Sequence, residues 1–384
     1  MEYVYPDYYE QFTCIADRCE DTCCAGWQIM IDDESMKKYK KIPGSFGNRL
    51  KNCIRWEEQC FEQCDRRCAF LNDENLCDIY CELGEDSLCR TCKTYPKHME
   101  EFENLREVSL SLSCPEACRL ILRQQDRLTF VSEEKEDVPE EEFEDFDFLF
   151  FTKLTDIREY LLHLIQDEAI DFYDRLAISL AFAHDSQRRI CQNKIFEIDD
   201  LIEAYSTQKA IRSLSQKCKN YQFTHAEYIE WLHELKRMFQ TLEPLNEEWF
   251  AEMDRAFEAI WVFQETEYKR LYRMFKADCG HVEHDLEQIA KTLLYTYVCG
   301  AVYDDDLFSK VKFAFISCCM IEILDFACWI RHEQQFSMED QVKITHQYSR
   351  EIEHSDQNLE NLERFLKTQP QFHIKQLLSA LYMK

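Results

Sequence analysis

Glycine is nearly missing from this chain. There are six in 384 residues, against a usual share of ~7%. They are Gly26, Gly44, Gly47, Gly84, Gly280 and Gly300, and no two are separated by a single residue. A Gly-x-Gly phosphate or dinucleotide loop needs glycines for its tight turn and close backbone approach, so the glycine-rich nucleotide folds are excluded. A Gly-x-Ser-x-Gly nucleophile elbow is excluded with them. Proline is also sparse, at seven, and no Asn-Gly or Asp-Gly hairpin pair occurs. Sustained apolar–polar alternation is lacking as well, and one short strand is expected, at Trp27–Ile31.

Basic residues are in deficit. Lys plus Arg number 45 against 74 Asp plus Glu, a formal charge of −29. Binding a nucleic-acid backbone wants clustered Lys and Arg, so no nucleic-acid partner is expected. A partner that presents lysines suits this field better. No uninterrupted apolar run reaches membrane length either. Leu307–Ile330 comes nearest, but Lys310, Lys312, Glu322 and Asp325 interrupt it. Charges are costly at a bilayer centre, and a central helix buried in a bundle is expected. Met1–Phe12 has no basic and apolar leader pattern, which points to the cytoplasm. His332-Glu-Gln-Gln ends in Phe336, so no His-Glu-x-x-His metalloprotease motif occurs.

What is present is apolar and helical. Hydrophobic residues make up 46% and aromatics 14%, enough for a sizeable core. Apolar residues recur at three- and four-residue spacing over Thr155–Gln166 and Asp171–Ala183, predicting helices. Thr224-His-Ala-Glu227 is a capping box, and Ser337-Met-Glu-Asp340 opens another helix. Asn246 is expected to cap one long helix running to Phe275. Residues 131–150 carry ten carboxylates against Lys135 alone; such density repels and extends a chain. The organisation expected is mainly α: a small Cys-rich metal- or cluster-binding domain over 1–130, an acidic linker over 131–150, and a helical bundle over 151–384.

Cysteine is the excess. Fourteen of 21 lie within the first 118 residues, at 14, 19, 23, 24, 53, 60, 64, 68, 77, 81, 89, 92, 114 and 118. In a reducing compartment such density reads as metal or cluster ligation, and in a secreted protein as a disulfide scaffold. Cys19/Cys23, Cys60/Cys64, Cys64/Cys68, Cys77/Cys81 and Cys114/Cys118 stand four apart, the spacing that shares a helix face. Cys89-Arg-Thr-Cys92 adds a C-x-x-C pair. Soft thiolates select zinc, Cu(I) or iron–sulfur centres, and spacing alone does not choose among them. Cys191, Cys218, Cys279, Cys299, Cys318, Cys319 and Cys328 are expected as small core hydrophobes. Cys279-Gly-His281-x2-His284 is expected as a solvated helix start.

Three blocks in order carry a family resemblance. The first is Phe12-Thr-Cys14-x4-Cys19-x3-Cys23-Cys24-Ala-Gly26-Trp27-Gln-Ile29-x-Ile31-Asp32. The second runs Cys68-Ala-Phe70-Leu71-x5-Cys77-Asp-Ile79, Leu83-Gly84-x3-Leu88 and Thr91-Cys92-x2-Tyr95-Pro96; the third is Ser109-Leu-Ser-Leu-Ser-Cys114-Pro115-Glu116. Together they resemble the flagellin lysine N-methylases (the FliB family). The first two also resemble the broader CxxxCC cluster-binding domains (YkgJ-like). The resemblance implies S-adenosylmethionine-dependent methyl transfer to lysine ε-amines of flagellin, before export from the cytoplasm, with a [4Fe–4S] centre; zinc is the alternative metal. It makes cluster-ligand candidates of Cys14, Cys19, Cys23, Cys24, Cys68, Cys77, Cys92 and Cys114. Cys53, Cys60, Cys64, Cys81, Cys89 and Cys118 lie outside the pattern, as a second centre or as spectators. The CxxxCxxC motif of radical S-adenosylmethionine enzymes is not met by Cys19-x3-Cys23-Cys24, nor by Cys60-x3-Cys64-x3-Cys68.

Two properties of the chain are compatible with methyl transfer. Without a glycine loop, S-adenosylmethionine needs another hold, such as an open cluster iron. A lysine nucleophile must also lose a proton, for which Glu116, Tyr95 and Asp32 are candidate acceptors. Glu116 equally suits the first turn of a helix after Pro115. Trp27 reads as a core anchor beside the cysteines or as a stacking platform. The reading of a different class is a non-catalytic metal-binding or storage module with a helical docking scaffold.

Overall fold

The computed structural model describes residues 1–139 and 146–382. The fold is mainly α, with seventeen α-helices, one four-stranded sheet and two two-stranded ribbons among the described residues. The hairpin Lys97–Phe102/Leu105–Leu110 turns on Glu103 and Asn104, with Glu103 at φ +54°. Glu2–Pro6 lies parallel to Leu105–Leu110, in the register Glu2 to Leu105 and Val4 to Glu107. Phe130–Glu134 then pairs antiparallel with Glu2–Pro6.

This sheet escapes a search for alternation. Arg106 to Leu110 are all buried, so the central strand has no solvent face. Its charges are matched instead. Arg158 of the helix Phe148–Ile165 donates to both oxygens of Glu107, each at 2.5 Å. Arg106 binds Glu101 and Asp137. The strand expected at Trp27–Ile31 is reduced to single bridges: Met30 faces Cys60, and the Ile31 N–H donates to the Gln59 carbonyl at 2.7 Å.

Apolar packing forms two cores. The small one gathers Ile29, Ile31, Met36, Tyr39, Leu50, Ile54, Phe61, Phe70 and Ile79. The large one joins the helices to Tyr8, Phe102, Leu110 and the helix Pro115–Leu122. Residues 97–134 therefore pack with the helical part, although they precede the acidic stretch. Of 131–150, the start completes the strand Phe130–Glu134 and the end begins the helix Phe148–Ile165, while 140–145 lie outside the described residues.

The helices expected near 155–166 and 171–183 are Phe148–Ile165 and Phe172–Ile190. Both capping boxes are complete, opening His225–Gln240 and Met338–Glu353. The long helix from Asn246 is two, Glu247–Trp261 and Glu265–Asp278, with Gln264 extended between them. The buried positions Ile260 and Tyr268 keep a helical spacing across the break, so periodicity carries no sign of it. Leu307–Arg331 is a single helix with twenty of its 25 residues buried. It is long and apolar enough to cross a membrane, yet its faces are covered by helices 172–190, 247–261, 282–297, 338–353 and 356–368.

Its charges are accommodated inside. The Lys312 ammonium donates to the Leu366 carbonyl at 2.6 Å, and Glu322 accepts from Tyr173 and Tyr272. Five of the seven later cysteines are buried as expected. Cys191 is exposed and Cys328 half-buried, because each sits at a helix C-terminus rather than on a packed face. His281, expected in solvent, is half-buried and stacks on Phe336.

The Glu107–Arg158 pair supplies a stability test. Arg158→Ala leaves a carboxylate buried without its cation and should cost ~3–5 kcal/mol. Replacing both members with apolar residues of similar volume should recover most of that loss in urea denaturation.

Candidate thiol site at a seam between two cores

The cysteines are brought together by short local devices. Gln63–Cys64 and Arg67–Cys68 form a ribbon whose two turn residues, Asp65 and Arg66, have φ +50° and +62°. This is the twist a two-residue hairpin favours, made here without glycine. The ribbon docks on the first motif block: the Gly26 N–H donates to the Arg66 carbonyl at 2.9 Å, and the Cys68 N–H to the Cys24 carbonyl at 2.8 Å. The loop after Leu71 returns to pair Leu71 with Cys77. Cys77, Cys89 and Cys114 are each the N-cap of a helix, at Asp78–Leu83, Arg90–Thr94 and Pro115–Leu122. Backbone N–H groups of the first turn reach their sulfurs and favour thiolate, an effect that burial outweighs at Cys77 and Cys114.

The thiols fall into two neighbourhoods, seen in how their charges act on one another. Cys24, Cys68, Cys77, Cys89 and Cys92 form one. Cys14, Cys19, Cys23 and Cys114 form the other. The adjacent residues Cys23 and Cys24, whose side chains hydrogen-bond, join the two. Burial pushes Cys68 up to about 12 and Cys77 and Cys114 up to about 11. The side chain of Cys23, aided by Thr22 and Arg67, lowers Cys24 below the ordinary thiol range. Cys92 likewise lowers Cys89. All fourteen N-terminal cysteines are outside disulfides.

All eight cysteines of the family pattern thus lie in these neighbourhoods, and Cys89 joins them from outside it. Cys118 is wholly buried in the large core, its sulfur 4.0 Å from the Val342 carbonyl. Cys60 is buried and takes the Gln28 amide at 3.1 Å, Cys53 packs beside the small core, and Cys64 and Cys81 are exposed.

The second neighbourhood faces the helical domain. The Trp27 indole donates to the Cys23 carbonyl at 2.9 Å and packs against His354, with ring centroids 4.4 Å apart, and against Tyr95. His354 and Tyr95 both reach the Ser113 hydroxyl, at 2.8 and 3.1 Å. Arg350 donates to Asp21 at 2.7 Å, and Arg119 binds Glu20, Glu116 and Glu339. Burial and the Arg350 charge lower His354 to about 3, so its imidazole is neutral. Trp27 is therefore an anchor in the seam.

Beside it lies a cleft of about 200 Å³, walled by Gly26, Asp65–Arg67, Asn246, Gln347, Arg350 and Glu351, among others. Glu351 is buried, and although it accepts the Leu245 N–H at 3.0 Å, burial pushes it up to about 7. A carboxyl poised there titrates in the range useful for proton transfer. The acceptors chosen from sequence are occupied otherwise. Asp32 caps the helix Asp33–Tyr39 and takes the Arg90 N–H. Glu116 pairs with Arg119 in its own first helical turn. Burial raises the Tyr95 phenol well above its ordinary range.

Comparison with known proteins bears on the helical part first. Residues 158–380 match the FliB lysine N-methylase C-terminal domain. The chain is 30% identical over 132 residues to Lysine-N-methylase of Salmonella typhimurium strain LT2, covering 32% of this chain and 33% of that protein. It has the same identity over 132 residues to the flagellar biosynthetic protein FliU of Salmonella muenchen, covering 78% of that protein. The match thus spans about a third of the length of the curated Lysine-N-methylase. No solved structure matches. With that domain matched over more than half of its length, the chain belongs to the FliB lysine N-methylase family.

Proposed function

We propose that this protein is an S-adenosylmethionine-dependent methyltransferase acting on lysine ε-amines of flagellin in the cytoplasm, with a cysteine-held [4Fe–4S] centre. The observation that carries the reading is the gathering of the eight pattern cysteines and Cys89 into two neighbourhoods joined at Cys23 and Cys24, with a cleft walled by the Ala25 and Gly26 that follow them. The relatives' names, Lysine-N-methylase and FliU, support the same chemistry and a flagellar setting.

The donor set fits a cluster. Thiolates are the ligands that iron–sulfur centres and zinc share. A zinc tetrahedron with Zn–S near 2.3 Å draws its sulfurs to about 3.8 Å apart. Either group needs several thiolates within reach of one another, and the two neighbourhoods together supply nine. Cys24, Cys68, Cys77 and Cys92 would hold it, with Cys89 alongside. When bound, such a centre supplies an iron position able to take an exogenous ligand, a hold for a methyl donor that needs no glycine loop.

The remaining steps belong to the chain. Its negative field draws a cationic lysine in. By whatever route the methyl group travels, the ε-ammonium must release a proton before nitrogen bonds carbon. Glu351 is the group placed to accept it, and Arg350, tied to Asp21, keeps that wall of the cleft in position. Methylated lysine, S-adenosylhomocysteine and one proton are the products.

Co-expression with flagellin followed by mass spectrometry tests the reading, with methyl increments expected on lysine. Unmodified flagellin beside a cluster-loaded protein would reject the methylase assignment; colourless protein with stoichiometric zinc would favour the storage module. Cys77→Ser or Cys92→Ser should abolish the visible absorbance of anaerobically purified protein, whereas Cys64→Ser or Cys81→Ser should retain it. For Glu351, the methylation rate should rise with pH through about 7 as the carboxyl loses its proton. Glu351→Gln should lose that limb and fall by ~10²-fold or more.

A further inference from the structure

A second set of ligating side chains lies outside the seam, where the central helix Leu307–Arg331 ends. Cys328 and His332 stand four residues apart across its last turn, the Cys328 sulfur 3.5 Å from His332 Nδ1. Glu333 and Gln334 then adopt φ +53° and +67°, reversing the chain into the helix Met338–Glu353. That reversal brings Asp340 Oδ1 to 3.9 Å from the same imidazole nitrogen. Sulfur, nitrogen and oxygen all lie within 4.8 Å of one another, the one such trio of His, Cys, Asp or Glu ligand atoms among the described residues.

We propose that Cys328, His332 and Asp340 bind a divalent transition-metal ion of the zinc class. The donors match its chemistry: thiolate, imidazole and carboxylate are the three ligand types zinc accepts. Tetrahedral bonds of ordinary length place such donors about 3.4–3.6 Å apart, so modest side-chain movement closes the site. The carboxylate is held by a supporting shell. Its other oxygen, Oδ2, accepts from the Ser337 N–H at 2.9 Å and the Ser337 hydroxyl at 2.6 Å, as the outer partners of metal ligands do. Binding forms three metal–ligand bonds and releases the thiol proton to solvent, with no change in oxidation state. Three protein ligands leave a fourth position for water.

The placement indicates what the ion does. Its ligands come from the end of the central helix and the first turn of the helix that carries His346, Arg350 and Glu351. An ion here ties these two helices together at the turn that joins them, next to Glu339, whose carboxylate binds Arg119. This inference is independent of the methylase reading.

Full-length protein, purified anaerobically with its own centre in place, is dialysed against Zn²⁺ and its metal content measured. Wild type should hold one equivalent more than His332→Ala, a variant chosen because that imidazole is exposed. Peptide mapping of thiol alkylation then localises the ion. Zn²⁺ should slow modification of Cys328 about ten-fold in wild type and less than about two-fold in His332→Ala, with His332→Cys restoring protection. Equal zinc content in wild type and His332→Ala, or Cys328 alkylation indifferent to Zn²⁺, would overturn the proposal.

Discussion

The thiol site depends on how the sheet closes the chain on itself. Glu2–Pro6 lies between Leu105–Leu110 and Phe130–Glu134, so residues 7–96 form an excursion whose two ends are fixed to one small platform. Loop closure costs only slightly more as a loop lengthens, and the strand pairing offsets that cost once for the whole excursion. What remains is local: a ribbon, a reversed loop and three capped helices suffice to gather the sulfurs. The platform is anchored in turn by Glu107 and Arg158 to the large core. Position is therefore transmitted from the helices to the cysteines through backbone pairing and through the apolar contacts of Tyr8, Phe102 and Leu110 with the large core.

This arrangement divides the two thiol neighbourhoods between the cores. Cys68, Cys77, Cys89 and Cys92 belong to the excursion, whereas Cys114 begins a helix of the large core. The neighbourhood of Cys14, Cys19, Cys23 and Cys114 is complete only when the cores are docked. The seam that docks them is polar and aromatic: Trp27 against His354 and Tyr95, Arg350 on Asp21, and the Ser113 hydroxyl between two rings. Such contacts lose more from misalignment than apolar surfaces do, because each unmet polar group costs on the order of 1–3 kcal/mol. They fix one relative placement of the two halves.

Where sequence chemistry is local, it was readable. Thr224 with Glu227 and Ser337 with Asp340 announce their helices because both halves of each cap lie within four residues. The motif cysteines carried the family, and the families implied by Cys14 to Cys114 and by residues 158–380 coincide. The hairpins were hidden because their turns use Glu103 and Asp65-Arg66 in left-handed conformations that usually mark glycine. The break at Gln264 was hidden because apolar spacing continues through it. Glu351, Arg350 and His354 reach the seam from more than two hundred residues beyond Cys114. No pattern within a window can show that approach. Cys328 and His332 had a legible i, i+4 spacing, but Asp340 joins them only through the reversal at Glu333 and Gln334.

The buried ionisable side chains of the central helix have a consequence for folding. A 25-residue apolar rod surrounded by five helices could pack in several rotations and offsets of similar energy, since Leu, Ile, Phe and Ala exchange places at small cost. Lys312, Glu322 and Asp325 remove that degeneracy. Each meets a polar partner in a single setting of the rod: Leu366 for the first, Tyr173 and Tyr272 for the second, Gln341 for the third. Displacing the rod by one residue would break these contacts in the interior, where each unmet polar group costs on the order of 1–3 kcal/mol. The three side chains act as an address code for the helix, selecting one assembly from many that would bury oil equally well.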